Sequence, residues 1–283
     1  MSDSIIRLGI STCPNDTFTF HALMNRLVDW RGLNFQIELL DIQQLNDRLF
    51  RDDFDVAKTS FHAALLLTEK TVVLPSGSAL GFGVGPLLLA AEQAVTPSDL
   101  SQQTLCPGEH TTATLLFKLF YPQTTTIEHC VFSDIMPRLE RCEADFGVCI
   151  HEGRFTWQQQ GLSLIEDLGT RWESTTHCPL PLGGLVASRS LPAETIDSVQ
   201  GVIRDSLEYS LSRPESALPT MRTHAQEFDD SVLMKHVELY VNDWTRDLGP
   251  TGADALARLS EMAHSIGLTD EANRPIEVWR ESA

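Results

Sequence analysis

The chain has 283 residues, of which 42% are hydrophobic and 21% charged, and its formal net charge is -18. This composition is globular, the length favours two domains, and no apolar run is long enough to span a bilayer. The acidic excess repels phosphate backbones, so neither nucleic acid nor a membrane is expected as a partner. Because no secretory signal precedes the first predicted strand, we expect a cytoplasmic protein.

Short apolar runs alternate with amphipathic stretches through the first part of the chain, which is typical of a parallel sheet covered by helices. Strands are predicted over residues 5–11, 35–40 and 55–59, and helices over 15–30, 43–50 and 61–68. The first helix begins at Asn15 or Asp16, which are favoured N-cap residues.

A glycine-rich run, Leu80-Gly-Phe-Gly-Val-Gly-Pro, interrupts this rhythm and predicts a flexible strand that crosses between two domains. A second α/β unit follows, with strands over 104–106, 126–132 and 146–151 and helices over 111–120 and 133–141. Pro179-Leu-Pro-Leu-Gly-Gly-Leu-Val-Ala-Ser then predicts a second crossing strand. From Pro192 onward the pattern is helical almost to the end.

Two crossings around an inserted unit predict two α/β domains with a cleft between them. The first domain is discontinuous, over 1–88 and 185–283, and the inserted domain spans 89–184. Ligands of open α/β sheets bind at the carboxyl ends of the strands, so the cleft is the expected site and domain closure the expected motion. We expect a small anionic ligand, and because the net charge repels it, its pocket must carry local positive potential.

Polar residues follow the first and third predicted strands. Asn15 and Asp16 stand at the start of a helix, where side chains and N–H groups can hold a ligand, although plain helix capping is the alternative. Lys58 stands in the segment Lys58-Thr-Ser, at the carboxyl end of a strand, and can supply positive charge to the cleft. A solvated lysine is the alternative there.

Thr111 and Thr112 open a predicted helix after another strand and loop. Their hydroxyl and N–H groups are suited to a carboxylate, which the positive end of the helix dipole attracts. The segment is not a phosphate-binding P-loop, because no Gly-Lys-Ser/Thr follows it. An ordinary threonine N-cap is the alternative.

His151 is the sharpest candidate for chemistry, because it falls at the predicted end of a strand and Gly153 then lets the chain turn. Histidine titrates near neutral pH and suits the removal of a proton next to a carbonyl. A structural or surface role is the alternative. Three further histidines are candidates for lining the cleft without an assigned role: His62, His110 and His177.

The six cysteines form no Cys-x-x-Cys pair. Cys142, Cys149 and His151 are close enough in sequence to suggest zinc, but a fourth ligand at a familiar spacing is missing. Buried free cysteines are common. We therefore predict no metal site.

Several motifs taken together resemble the 1,4-dihydroxy-6-naphthoate synthase family of the futalosine route to menaquinone. They run in order through the chain: Cys13-Pro-Asn-Asp-Thr-Phe, Lys58-Thr-Ser, His110-Thr-Thr-Ala-Thr-Leu-Leu, Ile150-His-Glu-Gly-Arg-Phe-Thr, Leu180-Pro-Leu-Gly-Gly and Tyr240-Val-Asn-Asp-Trp-Thr-Arg-Asp-Leu-Gly. Each motif is weak singly, but the set is specific.

The resemblance implies a two-domain α/β fold like that of type II periplasmic solute-binding proteins, with a central cleft. It implies conversion of cyclic dehypoxanthinyl futalosine to 1,4-dihydroxy-6-naphthoate by a lyase that needs no cofactor and releases a sugar-derived three-carbon product. His151 matches the proton acceptor. The matching substrate contacts are Lys58, Thr59, Ser60, Thr112 and Ala113. Thr59 departs from the aliphatic β-branched residue expected there, which leaves the contact at that position open.

Three rival functions remain. Chorismate dehydratase is a sister enzyme with the same fold, and the segment His151-Glu-Gly-Arg-Phe argues against it. A non-catalytic protein that binds a small anion is disfavoured by the missing export signal. The ligand-sensing domain of a regulator is disfavoured because no DNA-binding module precedes residue 5.

Overall fold

The computed structural model describes residues 5–91, 96–150, 153–225, 229–270 and 274–280. The strands are β1 Ile5–Ser11, β2 Asn34–Leu40, β3 Val56–Ser60, β4 Thr71–Val73, β5 Ala79–Gly81, β6 Leu87–Ala90, β7 Gln103–Cys106, β8 Thr126–His129, β9 Phe146–Cys149, β10 Ser163–Asp167 and β11 Leu180–Ser188. The α-helices are α1 Pro14–Thr19, α2 His21–Met24, α3 Ile42–Phe50, α4 Phe61–Leu66, α5 Thr112–Phe120, α6 Phe132–Glu140, α7 Gly153–Thr156, α8 Leu168–Thr176, α9 Ala193–Ser212, α10 Leu218–His224, α11 Asp230–Tyr240, α12 Asp243–Arg246 and α13 Gly249–Ser265. Short 3-10 helices cover Trp157–Gln160 and Pro214–Ala217.

The strands form two sheets that share one plan. The first sheet has the order β2-β1-β3-β11-β4, with β5 paired to β11, and the second has the order β10-β6-β9-β7-β8. Strands β1, β2 and β3 are mutually parallel, as are β7, β8 and β9. The strand beside each parallel set, β11 or β6, is antiparallel to it. Each sheet therefore directs the carboxyl ends of its parallel strands to one edge.

The crossing segments differ from the prediction. The crossing strand predicted near 81–90 instead contains the end of β5 in the first sheet and all of β6 in the second, separated by residues 82–86. Gly85 packs too closely against Gly169 for a side chain, because an added Cβ would lie 2.2 Å from the Gly169 Cα. The second predicted crossing strand, β11, lies entirely in the first sheet. The domain limits at 88/89 and 184/185 remain a proposal.

Two predicted elements are shorter in the structure. The helix predicted over 15–30 is broken into α1 and α2, because Phe20 leaves helical geometry and Arg26 has a positive φ of 54°. Leu27, which lies beyond α2, is 46% exposed. The strand predicted over 126–132 ends at His129, and α6 already begins at Phe132.

Apolar packing joins the two sheets as well as stabilising each one. Ile196, Val199 and Ile203 of α9 pack beneath the first sheet. A separate, larger core runs between the sheets and includes residues of β6, α4, α5 and α8: Leu88, Phe61, Leu65, Leu116, Phe117 and Trp172. Within the described ranges, no helix is both long and apolar enough to cross a bilayer.

Candidate functional site

A cavity of about 140 Å³ lies between the two sheets, and we call it the cleft cavity. Its lining residues come from strand ends, helix starts and the crossing segments of both sheets: Ser11, Cys13, Asn15, Asp16, Ile42, Lys58, Thr59, Ser60, Ala79, Val84, Gly85, Pro86, Thr111, Thr112, Ala113, Ile150, Arg154, Leu182, Gly183, His236 and Tyr240. The eight described residues that the sequence predicted as substrate contacts are all on this wall.

The first-sheet side of the cavity contains a buried ion pair. Lys58 Nζ lies 2.7 Å from Asp16 Oδ1 and donates to the Gly77 carbonyl at 2.8 Å. Both side chains are at most 5% exposed. Since the two charges neutralise each other, Lys58 does not give the cavity the net positive charge that we expected of it.

The N-terminus of α5 supplies positive potential from the second-sheet side. Thr111 is the N-cap, and its hydroxyl accepts a hydrogen bond from the Thr114 N–H at 3.3 Å. The helix itself offers no acceptor for the N–H groups of Thr112 and Ala113 in its first turn. These groups and the helix dipole favour a bound carboxylate. Thr111, Thr112 and Ala113 all line the cavity.

Asn46, which the sequence analysis did not predict, ties the segment before α5 to the end of β3. Its Oδ1 accepts from the Thr59 hydroxyl at 2.8 Å and the Ser60 N–H at 3.1 Å. Its Nδ2 donates to Ser60 Oγ at 3.2 Å and to the His110 carbonyl at 3.3 Å. Asn46 is fully buried. The Thr59 hydroxyl is thus bound within the protein, which explains why a threonine is accommodated there.

Ser60 is more fully engaged than its predicted role suggests. Its hydroxyl donates to the His110 carbonyl and accepts from Asn46 and from the Ala63 N–H. These contacts use its one donor and both acceptor positions. In this arrangement Ser60 holds the two sides of the cleft together, and its hydroxyl has no donor left for a ligand.

His151 lies outside the described residues. Its described neighbour Ile150 lines the cleft cavity, as does Arg154 of α7. The Arg154 guanidinium donates to the Gly85 carbonyl at 2.5 Å and to Asp167 at 2.6 Å. This fastens the segment after β9 to the first crossing and to β10.

Comparison with known proteins decides the family. The sequence model of a family described as menaquinone biosynthesis matches residues 6–265. The chain belongs to the menaquinone biosynthesis family. It is 38% identical to the 1,4-dihydroxy-6-naphthoate synthase of Thermus thermophilus, over 96% of this chain and 99% of that protein. It is 37% identical to the Streptomyces coelicolor enzyme of the same name, over 95% of this chain and 96% of that protein.

Solved structures share the fold of this chain. A protein of Archaeoglobus fulgidus has 29% identity and a TM-score of 0.87, with 95% of this chain and 100% of that chain covered. The periplasmic aliphatic sulphonate binding protein of Escherichia coli has 12% identity and a TM-score of 0.63, with coverage of 100% and 96%. The predicted two-domain, type II periplasmic-binding-protein-like fold with a central cleft is confirmed.

The cavity residues that were not predicted as site residues include Arg154 and His236. Arg154 stands in the motif Ile150-His-Glu-Gly-Arg, directly after Gly153 where the sequence predicts a turn, and this position was an available signal. His236 lies in α11, in the C-terminal part of the chain that the sequence predicts to be helical. Only the fold brings α11 to the cleft.

The three histidines without an assigned role, His62, His110 and His177, are described residues that do not line the cavity. His62 is buried, its Nδ1 lies 3.1 Å from the Thr111 carbonyl oxygen, and burial lowers its pKa to about 3. The His110 ring packs 4.8 Å from Phe50. His177 ends α8 in a left-handed conformation.

The cysteines near β9 do not present a thiolate pair. Cys142 is exposed, whereas Cys149 is buried among apolar side chains. Burial raises the pKa of the Cys149 thiol to about 12. A zinc ligand must lose its thiol proton, so this environment disfavours the zinc interpretation.

Proposed function

We propose that this protein converts cyclic dehypoxanthinyl futalosine to 1,4-dihydroxy-6-naphthoate, as a cytoplasmic carbon–carbon lyase of the futalosine route that needs no cofactor. The observation that carries the proposal is the similarity to the Thermus thermophilus enzyme of that name across nearly the whole of both chains. The fold alone does not support a particular reaction, because a binding protein of only 12% identity shares it.

The cavity chemistry supports a small aromatic carboxylate as ligand. The first turn of α5 offers N–H groups and a positive dipole end to the carboxylate. Apolar groups on the same wall, Val84, Pro86 and Leu182, suit a flat ring. Lining from both sheets is what a closing cleft needs in order to exclude water from a reactive intermediate.

His151 is the proposed proton acceptor. Opening the ring system of the substrate requires removal of a proton and stabilisation of the negative charge that develops on oxygen. A neutral imidazole suits the first task. The Ser60 hydroxyl does not serve the second task, since it already donates to the His110 carbonyl.

The direct test is an anaerobic incubation of the purified protein with the cyclic substrate, followed by mass spectrometry. We expect 1,4-dihydroxy-6-naphthoate to accumulate with turnover. Chorismate, supplied in a parallel incubation, is the matched control and should remain unchanged. Consumption of chorismate alone would identify the sister dehydratase instead. Binding of the cyclic compound without any product would identify a non-catalytic binding protein.

Thr112→Val tests the carboxylate site. The Thr112 hydroxyl donates to the Leu182 carbonyl at 2.6 Å, which ties the first turn of α5 to β11 across the cleft. Valine keeps the shape but removes the donor, so we expect KM to rise about tenfold, the effect of roughly 1.4 kcal/mol, with little change in kcat. Steady-state kinetics on the cyclic substrate provide the measurement.

The control variant for this prediction is Thr126→Val. Thr126 is exposed on β8, and its hydroxyl also donates to a backbone carbonyl, that of Gln102 at 3.0 Å. We expect its KM to equal that of the wild type. If Thr112→Val also leaves KM unchanged, the hydrogen bond between α5 and β11 does not contribute to substrate binding.

A further inference from the structure

A chain of polar contacts runs along the first-sheet wall of the cleft cavity. His236 Nε2 lies 3.2 Å from Asn15 Oδ1, and Asn15 Nδ2 donates to Asp16 Oδ1 at 3.1 Å. The same Asp16 oxygen lies 2.7 Å from Lys58 Nζ. All four side chains belong to cavity-lining residues, from α1, β3 and α11. Elements far apart in the sequence thus build one polar surface.

This chain fixes which way each group points. The salt-bridged Asp16 carboxylate accepts hydrogen bonds only, so Asn15 must turn its NH2 group to Asp16 and its carbonyl oxygen to His236. That oxygen also only accepts, so His236 Nε2 carries a hydrogen and donates it. The Tyr240 ring packs beside the imidazole at a centroid distance of 4.6 Å. The hydrogen on Nε2 and the position of the His236 ring are therefore both fixed by these contacts.

A second part of the cavity wall is apolar rather than polar. Apolar side chains cover it on the side of the crossing segments and α3: Ile42, Ala79, Val84, Pro86, Ile150 and Leu182. A flat aromatic ring is complementary to such a surface, whereas hydroxyl groups placed there would lose their hydrogen bonds with water. A ligand with an aromatic end and a hydroxyl-bearing end is therefore oriented by this division.

We propose that His236 is a further substrate-binding residue, which contacts the hydroxyl-bearing, sugar-derived part of the substrate. The inference rests on the proposed function, because only that substrate joins an aromatic carboxylate to a sugar-derived fragment. With the carboxylate on α5 and the ring on the apolar wall, the sugar-derived part faces the polar chain. Asn15 then acts through His236 as a positioning residue.

The test compares substrate with product, because 1,4-dihydroxy-6-naphthoate lacks the sugar-derived fragment. His236→Phe keeps a ring beside Tyr240 and removes the nitrogen atoms, whereas His236→Gln keeps a donor. We expect His236→Phe to raise KM for the cyclic substrate about tenfold, the loss of one hydrogen bond. Kd for the product, measured anaerobically, should stay within about twofold, since the product makes no hydrogen bond with His236 to lose. His236→Gln should recover part of the loss in KM.

His264→Phe is the matched control, because His264 is exposed on α13. It should change neither constant. An unchanged KM in His236→Phe would overturn the inference. Equal losses of substrate and product affinity would also overturn it, because they would show that His236 stabilises the cavity wall without contacting the sugar-derived part. A wild-type protein that forms no naphthoate would contradict the proposed function itself, and the wild-type assay shows this before any variant is compared.

Discussion

Replacing Lys58 with methionine is expected to lower the free energy of unfolding by about 3–5 kcal/mol, because it leaves the Asp16 carboxylate buried without its cation. Methionine is close to lysine in volume, so the loss comes from the charge rather than from a cavity. Urea unfolding followed by circular dichroism measures it. The double variant Lys58→Met with Asp16→Leu removes both charges, and we expect it to recover most of the lost stability.

Lys70→Met is the matched control for this stability prediction. Lys70 pairs with Asp52 at 2.8 Å, but the two side chains are 54% and 66% exposed. Water and salt screen such a pair, so we expect a change below about 1 kcal/mol. Equal losses of stability in the Lys58 and Lys70 variants would show that burial of the Asp16–Lys58 pair carries no special cost.

His151→Ala is expected to lower kcat about a hundredfold or more, while Kd for 1,4-dihydroxy-6-naphthoate and Tm stay near the wild-type values. A proton acceptor contributes to the transition state and little to binding of the product. His264→Ala, on the exposed end of α13, is the control and should be fully active. A structural role for His151 would give the reverse pattern, with a lower Tm and normal turnover of each folded molecule.

The pH dependence of kcat is a second test of His151 as the proton acceptor. We expect kcat to fall in acid as the imidazole protonates. Stability falls in acid as well, because burial lowers the pKa of His62 to about 3. Between the ordinary histidine pKa of about 6.5 and that value, the unfolded chain binds a proton that the folded chain does not. Tm must therefore be followed at every pH, and only loss of turnover at constant folded fraction reports on the base.

The sequence predicts the fold well wherever local pattern decides it. Alternating apolar residues place β1 and β2, and the capping residue Asp41 ahead of an amphipathic run gives α3. The errors occur where packing overrides pattern. The run 80–90 is glycine-rich in its first half and apolar in its second, and contacts with two different sheets divide it between β5 and β6. The sequence of this run alone does not reveal that its two ends pair with strands of different sheets.

The candidate site shows the same limit. Strand ends and helix starts could be located from the sequence, so Asn15, Lys58 and Thr112 fall on the cavity wall as predicted. Their partners could not be located. Asp16 neutralises Lys58, and His236 reaches Asn15 from 221 positions away. Such pairings depend on tertiary packing, which spacing along the chain does not reveal.

Chemical rescue tests directly whether His151 accepts a proton from the cyclic substrate. His151→Ala is assayed for 1,4-dihydroxy-6-naphthoate formation at increasing concentrations of free imidazole, on a preparation with wild-type Tm and product affinity. Since the missing group is a base, we expect turnover that is very slow without imidazole and rises in proportion to its unprotonated form. Turnover of the variant at the wild-type rate before any imidazole is added would contradict the claim.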